Sequence, residues 1–513
     1  MTPRRRLLAV LSATVAALAV LPAVAAADPT PGTEVVTYSL PTVEATIGQS
    51  IPVTLQATRD GVPVAGTQVE VFEDGSYNGL QSPPTDANGA ATIAYPATHS
   101  VLLAFHFVGD TGDTIATPAP GSAGGPPDAL GQIPFGVHGR PVLDLLSRRT
   151  VPAWRAISLQ LDRTVGGPYY DPQLLETSVN DGPWTVVGST NQLDIPPEGG
   201  AIEQNTDTPQ LATAVATRPG IWQLRLHDPG SKDLLETIGA PVTVRVTARK
   251  APAWLAALNR YRAQYGSLPV GEDPVLSAHD LTHAKWMAKY HVIEHGEQGR
   301  GATDVGDDAG KHSDLILGSV PLSGPAAVLG WMRAPFHALC LLNPALQAAG
   351  FGAYGGAEAL DCLSRLGAIA PASLADPAAQ GWPRIWPNSR TTLALNLDLF
   401  AGEIPDPTAG CRGLASTPGL PMLVSFGPIG APGSVAADLT HPIVSLTDRG
   451  HRVAACVRTP WSFAPFSTAA GSLAAMQTVL VIPIRPLVRG HSYKLTVTAG
   501  AAVAQDRVTV GTR

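Results

Sequence analysis

Over most of its 513 residues the chain alternates apolar and polar side chains in short runs, and turn residues interrupt these runs at close intervals. A period of two is that of a strand with one buried face. Ile51-Pro-Val-Thr-Leu-Gln-Ala, Gln68-Val-Glu-Val-Phe, Ala91-Thr-Ile-Ala-Tyr and Leu103-Ala-Phe-His-Phe-Val show it, with turn signals at Asp60-Gly61 and Asn88-Gly89. It recurs between Pro141 and Ala248, in Ile157-Ser-Leu-Gln-Leu-Asp, Ala214-Val-Ala-Thr, Ile221-Trp-Gln-Leu-Arg-Leu and Val242-Thr-Val-Arg-Val-Thr. From Trp386 onward it returns, with Thr447-Asp-Arg-Gly450 as a hairpin turn. Short strands at the roughly 8–12-residue spacing of sandwiches predict packed antiparallel sheets. The 52 Gly and 48 Pro are in excess, and the excess concentrates in those turns and in a linker over 117–127. With 44% hydrophobic and 15% charged residues, disorder and coiled coil are both excluded.

The alternation breaks once. From Ala251, Trp254, Leu258, Tyr261 and Tyr265 recur at helical spacing up to Gly266. Asp273-Pro274 supplies an N-cap and first helical residue for a second helix through Leu281, Ala284, Trp286 and Ala288. Ser323 caps a third, through Val328, Trp331 and Met332. The expected order is a leader over 1–27, a sandwich over 31–118, a linker over 119–134 and a second sandwich over 135–249. An α+β unit over 250–370 and a C-terminal sandwich over 380–513 follow.

Arg4, Arg5 and Arg6, an uncharged run from Leu7 to Leu21 and Ala25-Ala-Ala27 read as a cleaved secretory signal, so the chain is expected to be secreted and extracellular. No later stretch approaches the roughly 18 uncharged apolar residues of a spanning helix, so no integral membrane segment is expected. Losing the three leader arginines takes the formal charge from −7 to about −10, and no cluster of Lys and Arg stands out. Nucleic acid is therefore not an expected partner. Cys340, Cys362, Cys411 and Cys456 make an even set in an exported chain, with three connectivities open; proximity favours 340–362 and 411–456.

The motifs add family resemblance. Gly61-Val-Pro-Val-Ala-Gly66, Thr85-Asp-Ala-Asn-Gly89 and Phe107-Val-Gly-Asp110 resemble bacterial Ig-like domains. Pro486-Leu-Val-Arg-Gly-His-Ser-Tyr493 resembles the last strands of such domains, with Tyr493 as a tyrosine corner. Between them, Leu258-Asn-Arg-Tyr-Arg262, Pro274-Val-Leu-Ser-Ala with His283 and Trp286-Met-Ala288, Trp331-Met-Arg-Ala-Pro-Phe-His337, Leu341-Leu-Asn-Pro344 and Gly350-Phe-Gly352 resemble the CAP superfamily of cysteine-rich secretory, antigen 5 and pathogenesis-related proteins. The resemblance implies an α-β-α sandwich with a cleft, so the fold class is multidomain, an α+β CAP-like domain among all-β Ig-like sandwiches.

In that family two His and two acids line the cleft and in some members hold a divalent metal. His337 matches the second His and His295 the first. The segment with the family Glu falls at His312-Ser-Asp-Leu315, where Ser313 or Asp314 stands instead. The metal candidates are therefore His295, His337 and Asp314, with Glu294, Glu297, Asp307 and Asp308 as other acids, and Zn as the cofactor they would suit. No catalytic residue is assigned. His279 and His283 share a helix face and read as ordinary helix residues, Trp331 and Phe336 as core. Gly350-Phe-Gly-Ala-Tyr-Gly355 reads as strand and turn, not a dinucleotide loop.

The favoured function is a secreted, non-catalytic binding protein whose partner is an extracellular ligand, a lipid, sterol or cell-surface component. One alternative is a divalent-metal hydrolase using His291-Val-Ile-Glu294-His295, an H-x-x-E-H pattern. Gly296 directly after it and the β-branched pair inside it argue against a rigid helical turn. The other alternative is an adhesive envelope protein.

Overall fold

The computed structural model describes residues 33–108, 114–123, 132–138, 142–162, 174–189, 210–230, 234–299, 301–366, 381–391, 403–428, 434–465 and 467–511. The leader expected over 1–27 and much of the expected linker lie outside them. The chain forms two compact units.

In the first, Ser50–Arg59 runs antiparallel to Glu34–Ser39, which pairs in parallel with Ile115–Pro118. Val69–Glu73 pairs antiparallel with Val101–Phe107 and with Ser76–Gln81. Ile51, Val53, Leu55 and Ala57 are buried and their neighbours exposed, as the alternation requires.

The second unit carries the rest. A sandwich joins Ala156–Asp162, paired with Val142–Leu145 and Gln210–Val215, to Gly220–Asp228, paired with Leu174–Val179 and Val242–Thr247. Ile157, Leu159, Trp222, Leu224, Leu226, Val244 and Val246 fill it.

The helical block follows: α1 (Ala253–Tyr265), α2 (Pro274–Tyr290), α3 (Asp304–His312), α4 (Gly324–Met332) and α5 (Pro335–Leu342). α1 stops at Gly266, whose φ of 88° lies in the left-handed region that a glycine C-cap adopts cheaply. Asp273 caps α2 by accepting from the amides of Val275 and Leu276. An antiparallel sheet orders Ser313–Leu317, Ala357–Asp361 and Gly352–Tyr354. Its alternate residues face opposite layers. Leu315, Ala357 and Ala359 pack with Ala284, Trp286 and Met287 of α2. Ile316 and Leu360 pack with Leu255 and Leu258 of α1 and Val328 and Trp331 of α4. That is the α-β-α sandwich. Gly352 is required where its strand presses on α2, because a Cβ there would collide with the Leu281 backbone.

After the helices come two more sheets. One orders Arg384–Trp386, Met422–Ser425, Thr478–Pro483 and Ala455–Arg458. The other joins Ile443–Asp448, Ser492–Ala499 and Ala502–Thr509, and Ile443–Asp448 also makes the expected hairpin with His451–Arg452. The Val488 amide donates to Tyr493 Oη at 2.8 Å, the expected tyrosine corner. Met422–Ser425 and Thr478–Pro483 are buried along their whole length. Met422, Val424, Val479 and Val481 face the sandwich core. Leu423, Leu480 and Ile482, with Trp382, Trp386 and Leu473 of α6 (Thr468–Ala475), enter the same core as α1, α4 and α5. Asn388 Nδ2 donates to the Gln264 carbonyl at 2.7 Å at that junction. Among the described residues no single helix is long and apolar enough to cross a membrane.

Candidate functional site

The strand Ser313–Leu317 aims its side chains in two directions. Ser313 turns to α2, where its hydroxyl donates to Asp280 Oδ1 at 2.7 Å. Asp280 is fully buried, and desolvation pushes its carboxyl up to about 8 against the Ser313 hydrogen bond. Asp314 turns the other way, towards α5.

α5 begins abruptly. Pro335 sets its first turn, and Ala334 before it has no side chain to cap the free amides. The cap comes from far along the chain. Glu403 Oε1 accepts from the amides of Phe336 at 2.7 Å and His337 at 3.1 Å, and lies 2.9 Å from His337 Nδ1. One carboxylate oxygen thus closes the helix start and orients the ring. His337 Nε2 is left facing Asp314 Oδ1 at 3.9 Å. Glu403 is fully buried, whereas Asp314 and His337 keep 13% and 17% side-chain exposure, so the cluster opens on the Asp314 side.

The charges follow from this geometry. Desolvation opposes a charged His337, but Asp314 and Glu403 outweigh it and lift the imidazole to about 9. Desolvation raises Asp314 to about 7, with Glu403 and Asp361 adding to it and His337 opposing. Among the described residues, Asp314 Oδ2 and Glu403 Oε2 are buried without a hydrogen-bond partner. A buried acceptor without a donor is costly, and it marks a place suited to a cation, a proton or a donor group. The Cys340–Cys362 disulfide borders the cluster. Both disulfides, 340–362 and 411–456, have the expected pairing.

Of the three metal candidates, the structure brings His337 and Asp314 together. His295 sits exposed on the loop after α2, its Nδ1 2.9 Å from the Gly310 carbonyl. Glu297 and Asp307 staple that loop: Glu297 Oε1 lies 3.2 Å from His283 Nδ1, its Oε2 accepts from the Thr303 amide, and Asp307 Oδ1 accepts from the Glu297 amide. His283 is fully buried there. His291 caps α2 in the left-handed conformation with φ 53°, and residues 291–295 are not helical. The two His of His291-Val-Ile-Glu294-His295 therefore do not project from one helical turn. No local pattern in the sequence links Glu403 to a helix 66 residues earlier.

Residues 255–362 match the model of the CAP, cysteine-rich secretory protein family. This segment is a CAP domain. The match ends before Glu403, so the carboxylate that holds the CAP-domain His337 comes from outside it. No curated protein matches the chain. Among solved structures, the D0-D1 domain of intimin is 11% identical, covering 40% of this chain and 97% of its own, with a TM-score of 0.15. A marsupial T cell receptor is 8% identical, covering 93% and 99%, with a TM-score of 0.17. Three N-terminal domains of the Hoc outer capsid protein of bacteriophage RB49 are 9% identical, covering 42% and 59%, with a TM-score of 0.15. Likeness at that level carries no inference about this chain.

Proposed function

We propose that the chain is an exported, non-catalytic CAP-domain protein that binds an extracellular ligand or cell-surface partner through the cleft at His337, with a divalent cation such as zinc as part of that site. The observation that carries the reading is the Glu403 clamp on His337 Nδ1, which leaves Nε2 and Asp314 facing each other. A metal-binding imidazole commonly gives its other nitrogen to a carboxylate, which sets its orientation and basicity. Asp314 Oδ2, which has no hydrogen-bond partner among the described residues, fits the same role. His337 and Asp314 would hold the ion, and Glu403 would support from behind. The ion would supply a positive anchor for an anionic or carbonyl group of the ligand.

Zinc titration of the oxidised chain by calorimetry tests this. One equivalent is expected to bind, with affinity falling at least about tenfold in His337→Gln and Asp314→Asn. Unchanged affinity in both variants would overturn the metal reading. The same assay on His295→Gln decides whether the third candidate belongs to the set. Zinc-dependent hydrolysis of peptide or ester substrates that disappears in Glu294→Gln would replace the binding reading with the hydrolase one.

A further inference from the structure

The His337 cluster borders two sulfurs that the binding reading does not use. Donor atoms of Asp314, Cys340 and Cys362 all lie within 4.8 Å of one another. Their placement follows from the fold. Asp314 pairs across the sheet with Leu360, two residues before Cys362. Cys340 follows His337 by three residues on α5, so the two side chains share a helix face. His337 Nε2 in turn stands 3.9 Å from Asp314. Two sulfurs, a carboxylate and an imidazole are thereby gathered from one helix, one strand and the residue that follows its neighbouring strand.

In the oxidised chain the two sulfurs are bonded to each other and offer no thiolate. We propose that reduction of the Cys340–Cys362 disulfide converts this corner into a metal site of the zinc class, held by two thiolates, Asp314 and His337 Nε2. It shares Asp314 and His337 with the binding reading but depends on the sulfurs, which that reading leaves inert. The disulfide takes two electrons and two protons from a dithiol, which leaves as its own disulfide. The metal then displaces the two thiol protons. Thiolate and imidazole ligands suit Zn²⁺ in a tetrahedral shell with bonds of about 2.0–2.3 Å, which requires the two sulfurs, bonded at 2.06 Å in the disulfide, to part on reduction while the carboxylate and the imidazole draw in around them. Asp314 Oδ2, buried with no hydrogen-bond partner among the described residues, gains one. Glu403 remains on His337 Nδ1 as the outer support.

The experiment uses the full chain carrying Cys411→Ser and Cys456→Ser, so that only one cysteine pair remains, and Co²⁺ as a spectroscopic substitute for Zn²⁺. After reduction by a phosphine, which leaves as its oxide, one equivalent of Co²⁺ is expected to give a thiolate-to-cobalt charge-transfer band and to raise the melting temperature. The oxidised chain gives no such band. Adding Cys340→Ser abolishes the band, and Asp314→Asn or His337→Gln weakens Co²⁺ binding at least about tenfold. The proposal is overturned if the reduced chain shows no band or has lost its fold. It is equally overturned if the band appears without thermal stabilisation, or if Asp314→Asn and His337→Gln both leave the affinity unchanged. Zinc binding by the oxidised chain is read separately, so the two readings fail independently.

Discussion

Glu403 accepts three N–H groups on one oxygen in a fully buried position, so its charge matters more than its shape. Removing that charge should let His337 fall back from about 9 towards its ordinary 6.5. The sign for stability follows from linkage. His337 holds its proton more tightly in the folded chain, so its contribution is complete below about pH 6.5 and is lost as the pH rises through about 9. Asp314, raised from 3.8 to about 7, has the same sign, its contribution being lost as the pH rises from about 3.8 through about 7. The urea midpoint of the metal-free oxidised chain should therefore fall from pH 6.5 to 9. Glu403→Gln should flatten that fall, and the His337 ring resonances should titrate at lower pH by NMR. An unaltered profile and titration would remove Glu403 from the role given to it.

At the scale of elements, α5 is an eight-residue helix with no cap of its own. Glu403→Ala takes away its only described side-chain cap and should cost about 1–2 kcal/mol in urea denaturation, near the upper end for caps. The Cys340–Cys362 bridge ties the same helix to the sheet across 22 residues. Cys340→Ser should cost about 3 kcal/mol and expose a single thiol, on Cys362, by alkylation and mass mapping. A thiol on Cys411 or Cys456 would contradict the pairing. α3 shows why some elements escape a pattern reading. Its Asp- and Gly-rich sequence favours turns, yet Gly306 and Gly310 are needed because side chains there would strike the Glu297 carboxylate and the His283 ring. Tertiary packing overrides propensity at that point.

Across the second unit, the CAP domain and the C-terminal sheets share one core. Trp386 is buried in a T-shaped contact with Tyr261 of α1, at 5.4 Å between ring centroids. Trp386→Ala should cost about 3–5 kcal/mol and lower the melting of the CAP helices and the C-terminal sheets together. Two separated transitions in calorimetry would show that the two parts unfold independently. Ending the chain near residue 370 would remove Trp386, Leu423, Leu480 and Glu403 at once. Such a fragment should expose apolar surface and lose the clamp on His337.

Much was legible before folding, because it depends on neighbours in sequence. Period two marked the sandwich strands, and the switch at Ala251 marked the helical block. Gly266 and Asp273-Pro274 marked helix ends, and Tyr493 marked its corner, since each works over a few residues. The CAP motifs placed His337 at its helix start. The rest required the three-dimensional chain. Full burial of Thr478–Pro483 reads as an apolar run, but a run does not say that one face meets a sandwich and the other meets α1. Alternation places Asp314 opposite Ser313 without saying which layer either will face. Glu403 looks like any loop carboxylate until folding brings it to an uncapped helix that accepts no nearer partner. Local patterns follow from short-range backbone geometry; which distant groups meet is set by packing, and the His337 cluster is made by packing.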